Sequence, residues 1–260
     1  MEKVFRFIVL ICLLLCTTNL QVARAWGLTG HRTIGYIAQK HLSPNAQEAV
    51  ERILGGQSIA YVSAWMDDLR SYPEFRHLDP YHYCTIPDGM TYEEAGTPEQ
   101  GDIIVALERF IRELKTKQFS EQDEAFVLRC LIHLVGDVHQ PLHVGRGDDR
   151  GGNDIRLKWF SNDSNLHRVW DSDMIEHQRW SASELAAEID RLSPKEIVAL
   201  QQTDLRVWAS ESMALRPQIY QLPDDLVLRW AYLSQNWHSV EERLLQAGIR
   251  LAGLLNEIYK

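Results

Sequence analysis

Cysteine, long apolar runs and positive charge are all in short supply here, and each shortage excludes something. Four cysteines in 260 residues, two of them Cys12 and Cys16 near the start, make no disulfide scaffold. Cys84 and Cys130 are left either to form one bridge or to pack as small buried hydrophobes. The apolar run from Phe7 to Cys16 falls short of the roughly 20 residues that cross a bilayer, so no membrane span is expected. A net charge of −9 argues against a long basic track that grips nucleic acid. Any phosphate must meet positive charge supplied locally, by a few cations or by metal ions.

What is present begins with an export signal. Lys3 and Arg6 precede the apolar run, and Ala23-Arg24-Ala25 has the small-residue pattern of a cleavage site. Residues 1–25 are expected to be a signal peptide cut between Ala25 and Trp26, giving a secreted or periplasmic protein. Losing Glu2, Lys3, Arg6 and Arg24 removes a net +2 and leaves −11 on the remaining 235 residues. That length suits a single domain, 26–260, with a sizeable core.

Helical signals dominate it. Ser43 as N-cap, Pro44 in the first turn and Gly55 past the end predict one helix. Apolar residues at Ile59, Val62, Met66 and Leu69 predict another over 58–70. Similar periods run over about 102–115, 121–138, 166–177, 204–220 and 224–259. Strand character is confined to 154–160, after a Gly-Gly-Asn turn. The expected fold is mostly α, one multi-helix domain with a small hairpin or short strands in loops. The long loops, 71–100 and 140–165, are of a length that usually carries function.

The densest chemistry is HLVGDVHQPLH, residues 133–143. On a helix His133 and Asp137 share one side, and Pro141 ends the helix so that His143 returns from the loop. An isolated His-x-x-x-Asp is more often an ordinary polar face, but here it recurs as His167 and Asp171. WMDD (65–68), YHY (81–83) and LTGH (28–31) add carboxylates and imidazoles. Nitrogen and oxygen donors without thiolates suit catalytic zinc.

The set Trp26, His31, Asp67, His82, His133, Asp137, His143, His167 and Asp171, with its spacing, resembles the trizinc single-strand-specific nucleases and 3′-nucleotidases of the S-one/P-one type. The resemblance spans the whole chain after residue 25. It implies a helical zinc phosphodiesterase fold and hydrolysis of single-stranded DNA and RNA to 5′-phosphorylated products, with 3′-nucleotides as further substrates. It implies three Zn2+ per chain and no obligate protein partner. Asp67, His82, His133 and one oxygen of Asp137 would hold the first ion. The other oxygen of Asp137, His31, and the amine and carbonyl of Trp26 would hold the second; an α-amine of pKa near 8 gives up its proton readily enough for this. His143, His167 and Asp171 would hold the third.

The W-x-D pattern selects Asp67 over Asp68. The resemblance also gives catalytic roles to the shared Asp137 and to Arg70, beside the reacting phosphate, and a base-stacking role to Tyr83. A solvated helix end and a packed loop tyrosine are the plain alternatives. Thr85 stands where fungal relatives carry an aspartate that orients the nucleophile, which leaves either a lesser need for that help or a substitute in Asp88. His41, His77, His139, His177 and His238 fall outside the pattern, Asn153 reads as a turn former, and Asn162-Asp163-Ser164 is a glycosylation sequon. The rival readings are a zinc phospholipase C-like phosphodiesterase acting on lipid head groups and a non-catalytic metal-binding protein. The first is disfavoured because that family shows H-x-x-x-E at the third zinc and a more distant first histidine.

Overall fold

The computed structural model describes residues 26–120, 122–201 and 204–260. The signal-peptide expectation for 1–25 and the predicted helix start at Glu121 lie outside them. The helices are α1 (Leu28–Lys40), α2 (Pro44–Ile53), α3 (Ile59–Val62), α4 (Trp65–Leu69), α5 (Tyr92–Ala95), α6 (Ile103–Thr116) and α7 (Glu124–His139). There follow α8 (Leu166–Arg168), α9 (Met174–His177), α10 (Ala182–Ile189), α11 (Pro194–Leu200), α12 (Leu205–Ala214), α13 (Arg216–Ile219) and α14 (Trp230–Ile258). The mostly α expectation holds.

The core is built on α7 and α14. From Val127 to His139 nearly every α7 side chain is buried, so the helix runs through the domain rather than along it. Asp123 caps it by accepting from the Phe126 N–H, and Gln140 stops it ahead of Pro141. The 29-residue α14 packs against both α1 and α7. At α2 the chain follows its local signals: Ser43 caps the helix and Gly55 takes a positive φ of 64° just beyond it.

Several expectations need correction. The α1 helix was not anticipated: its N-cap is Gly27, with no side-chain cap, so the usual start signal is missing. The predicted helix over 58–70 breaks into α3 and α4 at Ser63–Ala64, and the one over 204–220 breaks between α12 and α13 at Leu215, ahead of Pro217. Residues 224–229 form a turn and strand β5 (Val227–Leu228) rather than the start of α14. The helices α10 and α11 were also unforeseen, although Ser181/Glu184 and Ser193/Glu196 close capping boxes. Of the two states left open for Cys84 and Cys130, the structure shows buried free thiols.

The two long loops hold all the strands but β5. A 3-10 run, Pro73–His82, leads into β1 (Cys84–Thr85), which pairs in parallel with β2 (Val144–Gly145). β3 (Arg156–Trp159) and β4 (Asn162–Asn165) form the predicted hairpin, and β5 adds in parallel to β3. Between α8 and α9 the chain takes one wide π turn, Val169–Asp173, in which the Met174 N–H reaches Val169 O. Such turns often mark functional positions.

One glycine governs how closely α1 and α3 approach. A Cβ built on Gly35 would lie 2.5 Å from the Ala60 Cα. Gly35→Ala is therefore expected to destabilise the protein by about 1–3 kcal/mol through overpacking, read as a lowered melting temperature. An unchanged melting curve would mean that α3 gives way freely.

Candidate metal centre

Four elements meet around one carboxylate. Asp137 and His133 stand on the buried face of α7, and both are fully inaccessible to solvent. α1 delivers His31, whose Nε2 lies 3.3 Å from Asp137 Oδ1. The end of the 3-10 run delivers His82, whose Nδ1 is 2.8 Å from Asp137 Oδ2. His133 Nε2 sits 3.1 Å from the same oxygen. The carboxylate thus faces His31 with one oxygen and the His82/His133 pair with the other. Asp67, on α4, approaches His133 Nε2 to 3.9 Å.

A second cluster lies alongside. His167 Nε2 is 3.1 Å from Asp171 Oδ2, and His143 Nε2 is 3.9 Å from Asp171 Oδ1. The His143 and His167 rings stack at 5.0 Å. The Nδ1 of His143 is 3.9 Å from Asp137 Oδ2, so the clusters adjoin. Among the described residues three groups bring potential ligand atoms within 4.8 Å of one another: His31/His133/Asp137, Asp67/His82/His133 and His143/His167/Asp171.

The donor set fits metal ions. Buried polar atoms without a hydrogen-bond partner include both ring nitrogens of His31, Asp137 Oδ1, Asp67 Oδ1 and His143 Nε2, and of these His31 Nε2, Asp137 Oδ1, Asp67 Oδ1 and His143 Nε2 lie within these groups. His82 Nδ1 and His133 Nε2 stand 3.1 Å apart. Two imidazole nitrogens on tetrahedral arms of 2.0–2.1 Å would lie about 3.4 Å apart. The outer nitrogens are tied to backbone: His133 Nδ1 donates to Ser63 O, His143 Nδ1 to His82 O and His167 Nδ1 to Gly151 O. Such bonds fix the tautomer and turn Nε2 inward. Because His133 has only Nε2 free, it serves one ion, and its Nε2 points to His82 and Asp137 rather than to His31.

Electrostatics agree. Burial lowers the His31 and His143 pKa values, and lowers His82 to about 4, so these rings are neutral lone-pair donors. Burial opposes charge on Asp137, yet the facing imidazole of His133, whose own pKa is raised, holds it well below the usual carboxylate range. Arg70 Nε is 3.6 Å from Asp67 Oδ1, and the arginine's charge is felt at both His82 and His167. It therefore stands beside the first cluster, with its charge reaching the second.

The structure places the other predicted residues as follows. Trp26 is fully buried at the head of α1, and the N–H of its neighbour Gly27 donates to Asp171 O at 2.7 Å. Tyr83, beside buried His82, is 49 % exposed. Asp88 is bound to Arg216 Nη1 at 3.0 Å and is 66 % exposed in its side chain. His41 bonds Asp190, His77 bonds Glu74 O, and His139 bonds Val135 O, all away from the ligand groups. Sequence reasoning missed Gln140, a buried side chain whose Nε2 donates to Asp171 Oδ1 while its Oε1 accepts from the Leu142 N–H.

Comparison with known proteins agrees with this geometry. The chain matches the family model S1/P1 Nuclease over residues 26–260. It belongs to the S1/P1 nuclease family. It is 31 % identical to Endonuclease 3 of Arabidopsis thaliana across 96 % of this chain and 94 % of that protein. Nuclease P1 of Penicillium citrinum is 26 % identical across 90 % of this chain and 98 % of its own. Nuclease S1 of Aspergillus oryzae is 31 % identical over 60 % of this chain and 56 % of its own. An S1/P1 nuclease is a hydrolase of phosphodiester bonds and the family is zinc-dependent, so the chain is an enzyme with three candidate metal-binding groups.

The stability of such a centre is linked to metal. A chelator is expected to lower the melting temperature and zinc to restore it. The gain amounts to about 4 kcal/mol at a thousandfold excess over Kd. Identical melting with and without chelator would contradict a metal role for the cluster.

Proposed function

We propose that this enzyme is exported, binds three zinc ions and cleaves single-stranded DNA and RNA, leaving 5′-phosphates, with 3′-nucleotidase activity on mononucleotides. The observation that carries the reading is Asp137, with Oδ1 toward His31 and Oδ2 toward His82 and His133. That arrangement suits one carboxylate shared by two ions.

In this reading Asp67, His82, His133 and Asp137 Oδ2 hold the first zinc. His31, Asp137 Oδ1, and the amine and carbonyl of Trp26 hold the second. His143, His167 and Asp171 hold the third, and Gln140 keeps one Asp171 oxygen engaged. Zinc in these groups supplies Lewis acidity, activating water near neutral pH and offsetting phosphate charge. Arg70 neutralises charge that builds on the phosphate between the clusters. Tyr83 offers an exposed ring to a nucleobase, which must be unstacked to lie on it; that favours single strands. Residues 1–25 act as a signal peptide, and their removal creates the Trp26 amine.

The test is hydrolysis of single-stranded and duplex DNA and RNA, a 3′-nucleotide and a choline lipid by one zinc-loaded preparation, with and without chelator. Chelator-sensitive cleavage of the single strands is expected. Turnover of the lipid alone would favour the phospholipase alternative, and no turnover at all would sink the enzyme reading. A preparation that keeps one residue before Trp26 is expected to bind two zinc ions instead of three and to lose most activity. Full activity with such an extension would refute the role of the amine.

A further inference from the structure

The third group, His143, His167 and Asp171, comes from two stretches of chain, the turn ending at His143 and the helical run 166–173, and one short segment reaches both. That segment is 216–220, comprising α13 and Tyr220, and none of its residues is a ligand. Arg216, 5 % exposed, spends its guanidinium on backbone. Its Nε donates to Val144 O at 3.1 Å, and its Nη2 donates to the same oxygen and to Gly145 O at 3.0 Å. Its Nη1 donates to Ile86 O at 2.8 Å and to Asp88. Val144 directly follows His143, and the carbonyls it grips belong to the β1–β2 bridge and its flank. A bridge of two-residue strands is marginal by itself, so this clamp sets where His143 stands.

The second line runs from Tyr220. Its hydroxyl donates to Asp149 Oδ2 at 2.8 Å, and Asp149 Oδ1 accepts from the Gly152 N–H at 2.9 Å. The turn so fixed presents Gly151 O to His167 Nδ1 at 2.7 Å. Gly151 has φ +61°, and a Cβ there would lie 2.2 Å from Leu142 O. The third line runs from Ile219, whose carbonyl accepts from the Tyr232 hydroxyl at 2.8 Å. That hydroxyl accepts from Trp170 Nε1 at 2.9 Å, one residue before Asp171.

We propose that segment 216–220 positions the ligands of the third metal as a unit, with Arg216 and Tyr220 as its principal positioning residues; the proposal rests on the trizinc reading above. The other ions are held differently. His31, Asp67, His133 and Asp137 stand on the helices α1, α4 and α7, and of the first ion's ligands only His82 lies beside the β1–β2 bridge, where its carbonyl accepts from His143 Nδ1. Disturbing it loosens the third ion first.

The experiment measures zinc affinities and stoichiometry by competition with a metal-sensitive chelator in wild type, Tyr220→Phe, Arg216→Gln and Arg216→Lys. Cobalt substitution adds an absorption signature of each site. Tyr220→Phe and Arg216→Gln are expected to weaken the third ion by about 10–100-fold and the other two by much less. Lysine is expected not to rescue, because an ammonium cannot fork across three carbonyls. Tyr220→Phe removes a single hydroxyl and serves where an Arg216 variant fails to fold. Unchanged affinities, or equal weakening of all three ions, would overturn the proposal. A wild-type chain that takes up fewer than three zinc ions removes the trizinc reading and this proposal with it. That outcome is distinguishable because it appears before any substitution.

Discussion

A carboxylate with no access to solvent is expensive unless opposite charge meets it, and Asp137 is such a carboxylate. Its two oxygens are turned to opposite sides, each facing imidazole nitrogen. The rest of the architecture follows from holding that geometry. α7 must run through the core, because only there are His133 and Asp137 dry. α1 must come close enough for His31 to reach, and Gly136 permits it: a Cβ there would lie 2.9 Å from His31 Nδ1. The end of α7 needs its carbonyls satisfied away from water, and Ser212 and Arg243 donate to Val138 O and His139 O. Two buried cations near that terminus, Arg243 and Arg250, also complement the helix dipole.

The two clusters are built by different means. The cluster around Asp137 takes most of its side chains from helices, and packing fixes their relative positions. The cluster around Asp171 takes them from a 3-10 turn, a helix start and a π turn, none of which is stable in isolation. It depends on polar links from elsewhere: Gln140 to Asp171, Gly151 to His167 and Gly27 to the Asp171 carbonyl. The last of these joins the N-terminal stretch bearing Trp26 and His31 to the second cluster, so the two are mechanically connected from both sides.

Much of this was legible in the sequence, and the reasons for the gaps are physical. Residues that must sit on one helical face announce themselves by period, so His133 with Asp137 and His167 with Asp171 were readable as pairs. Asp67 and His82 required a family pattern, since no local rule joins α4 to a loop after it. The α1 helix was obscured because Gly30 and Gly35 depress helix propensity while being required by contact with Trp26, Ile175 and Ala60. Residues 224–229 carried a helical pattern but make a turn and the strand Val227–Leu228, which pairs with β3, a tertiary choice that periodicity does not see. Gln140, Ser63 and Gly151 were invisible as supports because two of them act through backbone carbonyls. Arg216 was invisible because its partners lie 71 and more residues away.

An acidic chain belonging to a nuclease family poses an electrostatic question that the site's depth answers. The exposed part of the net −9 is screened by salt beyond about 8 Å. Charge at the clusters acts at contact distance among buried groups, where screening is weak. The surface field therefore has little authority over charge at the clusters. In the reading proposed above, discrimination among substrates then falls to what lets a phosphate enter, and the exposed ring of Tyr83 beside buried His82 would favour a strand whose bases are already free.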